Sequence, residues 1–410
     1  MNILHIGTSD ISGGAAKASW RLHKALLSKG HDSKMLVGIK KSESHDVNQF
    51  PSNQGFSYRM VNSISWRLGL QYLIYPWARE FFDHPWYKKA DIINLHNIRG
   101  GFFSHTLLPK IKQPIVWTLH DPWPMTGHCG YPEMNKYLQK HRYQWDSKIK
   151  KSRTFADLLG CEKWKTGCGR CPNLKDYPEI GLDTTRFLWK KKKEIYRTSR
   201  ITFIGPSQWM VDHAFQSPLT QRHPIRKIPY GINTENFYPC EKQAVRKALS
   251  WPMEKKIILF VSADVNNERK GLKHIKESPE FKFITVGKNG MYETDDQRKM
   301  QDFYCAADVL AFPSLADNLP LTVMESLACG TPVVAFNVGG LSDLVVDGKT
   351  GFLASVGSTE DFNQKLRWIL SFDKARSLEM SKACREHIVE KFSLELQAEQ
   401  YEKIYEHLLE

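Results

Sequence analysis

The sequence predicts an α/β protein made of two doubly wound domains. Three observations carry the prediction. At 410 residues the chain is too long for one ordinary hydrophobic core. Its first forty residues run from an apolar stretch through a glycine-bearing loop into a helical stripe, which is how such a domain opens. The same order begins again at 257–262 (IILFVS). Hydrophobic and charged contents of 41% and 25% are those of a soluble globular chain. No run of about eighteen apolar residues predicts a membrane span. Met1 to Gly7 lacks a basic region and leads straight into a strand, so a cytosolic chain without a signal peptide is expected. The net charge of +14 suits nucleic acid, an anionic membrane surface or an anionic small substrate, or else is a solvated face. No nucleic-acid signature accompanies it, which favours membrane and phosphate-bearing substrates over nucleic acid.

In the first half, 3–7 is a short strand and Thr8 to Gly14 the loop at its carboxyl end, where α/β sheets bind ligands. Ala15, Ala18, Leu22, Ala25 and Leu26 keep helical spacing, and 34–39 gives a second strand. Residues 59–89 mix Trp66, Tyr72, Tyr75, Trp77, Phe81, Phe82, Trp86 and Tyr87 with Arg59, Arg67, Arg79, Lys88 and Lys89. That mixture suits a lipid interface, an acceptor groove or a pair of core helices. Strands at 91–95 and 114–119 each end in polar residues, His96-Asn97 and His120-Asp121. Trp189 followed by Lys190 to Lys193 heads a basic helix, able to meet phospholipid heads or simply solvated.

Cys129, Cys161, Cys168 and Cys171 fall in one segment, the last two as Cys-x-x-Cys. Two thiolates at that spacing can grip one ion, and in a cytosolic chain four cysteines suggest tetrahedral structural zinc. Two disulfides, or free thiols, are the alternatives.

In the second half, strands are expected at 257–262, 281–287, 308–312 and 331–336. The stretch from Phe312 to Gly340 holds the chemistry. Asp317 and Glu325 bracket a turn and a helix start, with Pro320 in the first turn and the helix running over 321–329. Gly330 closes it as a left-handed cap and Pro332 bars its continuation. Free amides and the positive dipole end at a helix start suit a phosphate. A carboxylate such as Glu325 can accept both hydroxyls of a ribose. A stripe of Ala398, Tyr401, Ile404, Tyr405 and Leu408 follows Ser393 as the last helix.

These residues resemble the donor-site signature of glycosyltransferase family 4, retaining sugar transferases of the GT-B fold. The family usually places Glu, seven residues and Glu, and here the first is Asp317. The resemblance covers nearly the whole chain and is strongest over 228–352. The cysteine segment and HDPWPMTGHC are similar to a subgroup used in bacterial exopolysaccharide assembly, the colanic acid transferases included. It implies two Rossmann-like domains facing a cleft: 1–205 on the acceptor side with a cysteine-rich insert at 129–171, 206–390 binding the nucleotide sugar, and 391–410 packing back on the first. It further implies that Glu325 holds the donor ribose and that Asp317, with the amides of Asn318 and Leu319, holds the sugar. The Leu321 and Thr322 amides, with Lys270 and Arg269, would take the diphosphate. Many members carry an arginine where Val265 stands. Gly13 and Gly14 match paired glycines that admit the diphosphate or acceptor, and His120 a histidine facing the sugar. The expected function is retaining transfer to a saccharide acceptor, lipid-linked or not, with no catalytic cofactor, in a cytoplasmic protein lying peripherally on the membrane. A GT-B nucleotide-sugar hydrolase or epimerase, and a non-catalytic zinc-bearing basic binding protein, are the alternatives.

Overall fold

A computed structural model describes residues 1–132, 161–172 and 174–410. The chain divides into two compact units, Met1–Ile228 with Ala398–Glu410, and Pro229–Gln397. The middle of the expected cysteine-rich insert, 133–160, lies outside the described residues.

In the first unit β1 (Asn2–Ser9), β2 (Asp32–Ile39), β3 (Val47–Gln49), β4 (Ile92–Leu95), β5 (Ile115–Thr118), β6 (Ile201–Gly205) and β7 (Ile225–Lys227) form one sheet. Its order is β3-β2-β1-β4-β5-β6-β7, and all neighbours are parallel. Its helices are α1 (Gly14–Ser28), α2 (Phe56–Arg67), α3 (Ala78–Asp83), α4 (Pro85–Lys89), α5 (Thr185–Arg197) and α6 (Gln208–Gln216). In the second unit β8 (Lys256–Asp264), β9 (Phe281–Lys288), β10 (Val309–Phe312), β11 (Val333–Phe336) and β12 (Gly351–Ala354) form a parallel sheet in the order β12-β11-β10-β8-β9. The remaining helices are α7 (Lys242–Ala248), α8 (Gln297–Ala306), α9 (Leu321–Ala328), α10 (Leu341–Leu344), α11 (Thr359–Leu370), α12 (Lys374–Lys391) and α13 (Leu394–Leu409). Both units are thus Rossmann-like.

Central strands covered on both faces read as continuous apolar runs, and β10 and β11 (VLAF, VVAF) are buried throughout. Strands β4 and β5 each carry a buried polar residue, Asn94 and Thr118. Helix α13 satisfies both. Asn94 Nδ2 donates to Tyr405 Oη at 2.7 Å, and the hydroxyls of Thr118 and Tyr401 lie 2.8 Å apart. The tyrosine rings pack on Ile3, Leu22, Ile92, Val116 and Ile204, which is why this helix belongs to the first unit from Ala398 onward. Ser393 Oγ accepts from the amide of Leu396 and caps the helix start.

One expectation needs correction. The boundary at 205/206 cuts through the first sheet: β7 pairs with β6 and α6 packs on both, so that unit runs to Ile228. A three-residue edge strand, Ile-Arg-Lys, carries too little apolar signal to be read from sequence. The aromatic segment also splits. Phe81 and Tyr87 join Phe50 and Phe103 in the core, whereas α2 leaves Phe56, Met60 and Ile64 exposed at four-residue spacing. Among the described residues no helix is long and apolar enough to cross a membrane.

Candidate active site

Strand order reverses between β8 and β10 in the second sheet, leaving a crevice at the carboxyl ends of these strands, where open α/β sheets bind ligands. The loop after β8 carries Arg269 and Lys270; the loop after β10 carries Asp317, Asn318 and Leu319. Residues about fifty positions apart in sequence therefore share one rim. The loops are knitted by backbone: the Leu315 amide donates to the Arg269 carbonyl at 2.8 Å. Gly271 sits at φ 73, and a Cβ there would stand 2.0 Å from the Pro313 carbonyl oxygen. Only glycine permits that approach.

Lys270 Nζ lies 2.6 Å from Asp317 Oδ2, and Arg269 Nη1 lies 3.4 Å from the same oxygen. Ser314 Oγ donates to it at 3.2 Å. Burial pushes the Asp317 carboxyl up, but Lys270, Arg269 and Ser314 outweigh that and hold it below the ordinary value. Burial lowers the Lys270 ammonium, with Arg269 adding to the effect and Asp317 opposing it. The two cations expected at a diphosphate and the carboxylate expected at a sugar thus form one charged cluster. Val265, where many family members carry arginine, is buried.

Helix α9 starts at Leu321 as expected and ends one residue early at Ala328, with Pro320 as its N-cap. Its first amides, those of Leu321 and Thr322, have no acceptor within an α-helix. At the other end Gly330 is left-handed at φ 76. Gly330 N donates to Leu327 O and Thr331 N to Ser326 O, closing the helix as a Schellman motif. Glu325 is buried, and Tyr304 Oη on α8 donates to its Oε2 at 3.0 Å. Gly339 holds the rim from below: at φ 54, a Cβ there would stand 1.6 Å from the Asp317 carbonyl oxygen.

Tyr304 and Ser314 are absent from the sequence reading. A tyrosine amid the buried run Phe303 to Ala306 needs a hydroxyl partner, and that was the available signal for Tyr304. Ser314 offered none.

The first sheet reverses order between β1 and β4. Gly13, at φ 90, caps α1, and a Cβ on either Gly13 or Gly14 would meet open space. Asp10 shapes their loop by accepting from the amides of Ile11, Lys41 and Ser42 at 2.8 to 3.1 Å. His120, beyond β5, is buried, and burial with the Arg99 guanidinium nearby pushes its imidazole down to about 3. Its neighbour Asp121 pairs with Arg99 at 2.8 Å, both side chains almost wholly buried. His120 Nε2 lies 3.0 Å from His96 Nδ1, and His96 Nε2 lies 3.0 Å from His5 Nδ1.

Among the described residues Cys129, Cys161, Cys168 and Cys171 form no disulfide. Gly167, Cys168, Gly169 and Arg170 all have positive φ, so the Cys-x-x-Cys turn folds tightly on itself. The Gly127 amide donates to Cys168 Sγ at 3.2 Å, and His128 Nε2 lies 3.2 Å from Cys171 Sγ. Burial pushes the Cys129 thiol up, with Cys168, Cys171 and Cys161 adding to it. Among the described residues no group of three or more His, Cys, Asp or Glu side chains is set to hold a metal ion. In the basic helix Lys192 turns inward, donating to the Trp123 and Thr126 carbonyls at 2.7 and 3.0 Å. Only part of that lysine run is therefore available to a surface.

Two Rossmann-like units, with charged loops at the second sheet's switch point, have the architecture of GT-B glycosyltransferases. Residues 12–159 match the model for Glycosyltransferase Family 4, and residues 287–387 the model for glycosyl transferases group 1. Both models describe glycosyltransferases, and the chain is an enzyme of that class, which sets aside the non-catalytic alternative. It is 27% identical over 369 residues to WcaC of Escherichia coli K12, assigned to colanic acid biosynthesis as a glycosyl transferase, covering 82% of this chain and 83% of that one. It is 42% identical over 102 residues to a D-inositol 3-phosphate glycosyltransferase of Corynebacterium aurimucosum, 25% of this chain and 24% of that one. Similar solved folds include sucrose-phosphate synthase from Thermosynechococcus elongatus, with TM-score 0.67 and 17% identity over 100% of this chain and 99% of that one. Anabaena HepE with UDP-glucose gives 0.63 and 14%, covering 99% of each chain.

Proposed function

We propose that this enzyme is a retaining glycosyltransferase, moving a sugar from a nucleotide-sugar donor to a lipid-linked saccharide in cell-surface or exopolysaccharide synthesis. One observation carries the donor assignment: the second sheet's switch point gathers Arg269, Lys270, Asp317 and the start of α9 on one rim. In this reading Lys270, Arg269 and the Leu321 and Thr322 amides hold the diphosphate. Glu325 holds the ribose, and Asp317 with the Asn318 and Leu319 amides holds the sugar. His120 contacts the sugar, and Gly13 and Gly14 admit the diphosphate or the acceptor. Fixed cations stabilise the charge left on the diphosphate as the glycosyl–oxygen bond breaks. Asp317 is engaged by Lys270 and Glu325 by Tyr304, so neither is poised as a nucleophile. Same-face displacement fits: the acceptor oxygen bonds the anomeric carbon, the leaving phosphate oxygen departs, and that oxygen takes the acceptor proton. The relationship to WcaC supports a polysaccharide pathway. The exposed apolar stripe of α2, beside Arg59 and Arg67, supports a lipid-bearing acceptor and peripheral membrane contact.

The test is thermal stabilisation by a panel of UDP-, GDP- and dTDP-sugars. The true donor at a hundred times its dissociation constant adds roughly 2.7 kcal/mol of stability. One nucleotide standing out supports the site and names the base; no shift with any of them overturns it. Free sugar or an isomer released without acceptor would instead favour the hydrolase or epimerase.

Structural zinc on Cys129, Cys161, Cys168 and Cys171 is a separate proposal, supported by the tight Cys-x-x-Cys turn and the proximity of His128. Metal analysis of the purified protein should find about one zinc per chain, lost in Cys168→Ser. Protein that folds and turns over with no bound metal would sink it.

A further inference from the structure

Three cysteines of the second unit meet at the amino end of its sheet, the end away from the charged crevice. Cys240 precedes α7, Cys305 lies in the last turn of α8, and Cys329 caps the end of α9. They line one cavity with Lys256, which opens β8, and with Asp308 and Pro332, close before β10 and β11. That cavity holds about 560 Å³ of space, enough to admit a small oxidant. Cys305 and Cys329 are 3% and 4% exposed, whereas Cys240 is half-buried. Cys240 Sγ and Cys305 Sγ share one neighbour, the Tyr238 carbonyl oxygen, at 3.5 and 3.4 Å. The amide and the thiol of Cys240 both donate to Cys305 Sγ, so its main chain lies against that sulfur.

The three thiols are not equivalent. The Cys329 thiol, and after it the thiol and amide of Cys240, hold Cys305 below the ordinary thiol value against its burial. Burial raises Cys240 and Cys329 themselves, so these two keep their protons. Cys305 is the readiest to ionise, and the thiolate is the form that attacks. Cys329 is anchored at a helix end, its amide donating to the Glu325 carbonyl at 3.1 Å. Cys240 stands in the connection ahead of α7, where its side chain can turn without moving a helix.

We propose that Cys305 and Cys240 are an oxidisable thiol pair that takes a peroxide as its substrate, and that their disulfide weakens the donor site. The Cys305 sulfur attacks one peroxide oxygen, the O–O bond breaks, and the departing oxygen takes a proton to leave as water. Cys305 is then a sulfenic acid. The Cys240 sulfur attacks the Cys305 sulfur, the S–O bond breaks, and the second oxygen leaves as water with the Cys240 proton. Two thiols have lost two electrons and two protons, and one peroxide has become two waters. Tyr304, directly before Cys305, donates from Oη to Glu325 Oε2 at 3.0 Å. Drawing Cys305 towards Cys240 shifts the end of α8, and Tyr304 with it, against Glu325. The effect on donor binding rests on the transferase reading above; the disulfide does not.

The test treats the reduced full-length protein with hydrogen peroxide and maps its peptides without reduction. Affinity is titrated with the panel nucleotide sugar that stabilises the protein. The wild type should gain a link between Cys240 and Cys305, and its donor Kd should rise about tenfold, the worth of one hydrogen bond. Dithiothreitol should reverse both changes. Cys240→Ser should trap the sulfenic acid on Cys305, where dimedone captures it. Cys305→Ser should form neither product and keep its affinity in peroxide, which also controls for oxidation of Cys129, Cys161, Cys168 and Cys171. Peroxide that leaves Cys305 unmodified, or joins it to Cys329, overturns the thiol pair. A link between Cys240 and Cys305 with an unchanged donor Kd overturns its effect on the site. Reduced protein that binds none of the panel counts against the donor reading, and the peptide map then decides the thiol pair alone.

Discussion

Glu325→Ala is expected to lower kcat/KM by on the order of a hundredfold to ten-thousandfold while the fold survives. Two ribose hydroxyls donating to a carboxylate contribute about 1.5–3 kcal/mol each, and every 1.4 kcal/mol is roughly tenfold in rate. The structural cost is smaller. Tyr304 Oη loses its acceptor at Glu325 Oε2, and an unpaired buried hydroxyl costs about 1–3 kcal/mol. Tyr304→Phe separates the two effects, because it removes that hydrogen bond and keeps the carboxylate. Kinetics with saturating acceptor and varied donor, alongside thermal melts of both variants, give the answer. Wild-type turnover in Glu325→Ala would remove Glu325 from the donor site.

Acidification is expected to unfold the first unit well before ordinary carboxylates titrate. His5, His23, His96, His105 and His120 all have imidazoles lowered chiefly by burial, His23 to about 4 and His105 and His120 to about 3. The surrounding charges mostly reinforce this. Lys192 faces His105 and Arg99 faces His120, while Lys24 and Lys34 face His23 against the opposing Asp46. In the unfolded chain a histidine takes its proton near pH 6.5, and in the folded one only at much lower pH. The stabilisation is therefore complete above about pH 6.5 and is lost as pH falls towards the folded values. Each group costs roughly 1.4 kcal/mol per pH unit in that window. Several acting together rival the whole stability of a domain, about 5–15 kcal/mol. Calorimetry from pH 7.5 to 5 should show a steep loss of the transition assigned to the first unit. A melting profile flat across that range would mean that these histidines are not buried and neutral.

Much of the fold is legible in the sequence because parallel strands covered on both faces must be apolar throughout. Runs such as VLAF and VVAF announce themselves, whereas the edge strands Val-Asn-Gln and Ile-Arg-Lys do not. The missed edge strand β7 displaced the domain boundary to 205/206. In the candidate site, turn and helix-end chemistry was equally readable. Gly330 stands where a left-handed cap is required, and Pro320 marks the start of α9 to within one residue.

What the sequence determined by itself is local: strand runs, the glycine and proline punctuation around α9, the cysteine spacing, and the order of motifs that marks the family. These depend on backbone sterics and short-range periodicity, which neighbouring residues specify. Only the tertiary structure decided the partnerships. It set Asp317 against Lys270, Tyr304 beneath Glu325, Lys192 inside rather than on the surface, and His5 on β1 in one hydrogen-bonded row with His96 and His120 just beyond β4 and β5. Each of these joins residues more than twenty positions apart through burial. Burial makes an unpaired polar group expensive, so the partner is chosen by whichever segment the sheet order brings alongside.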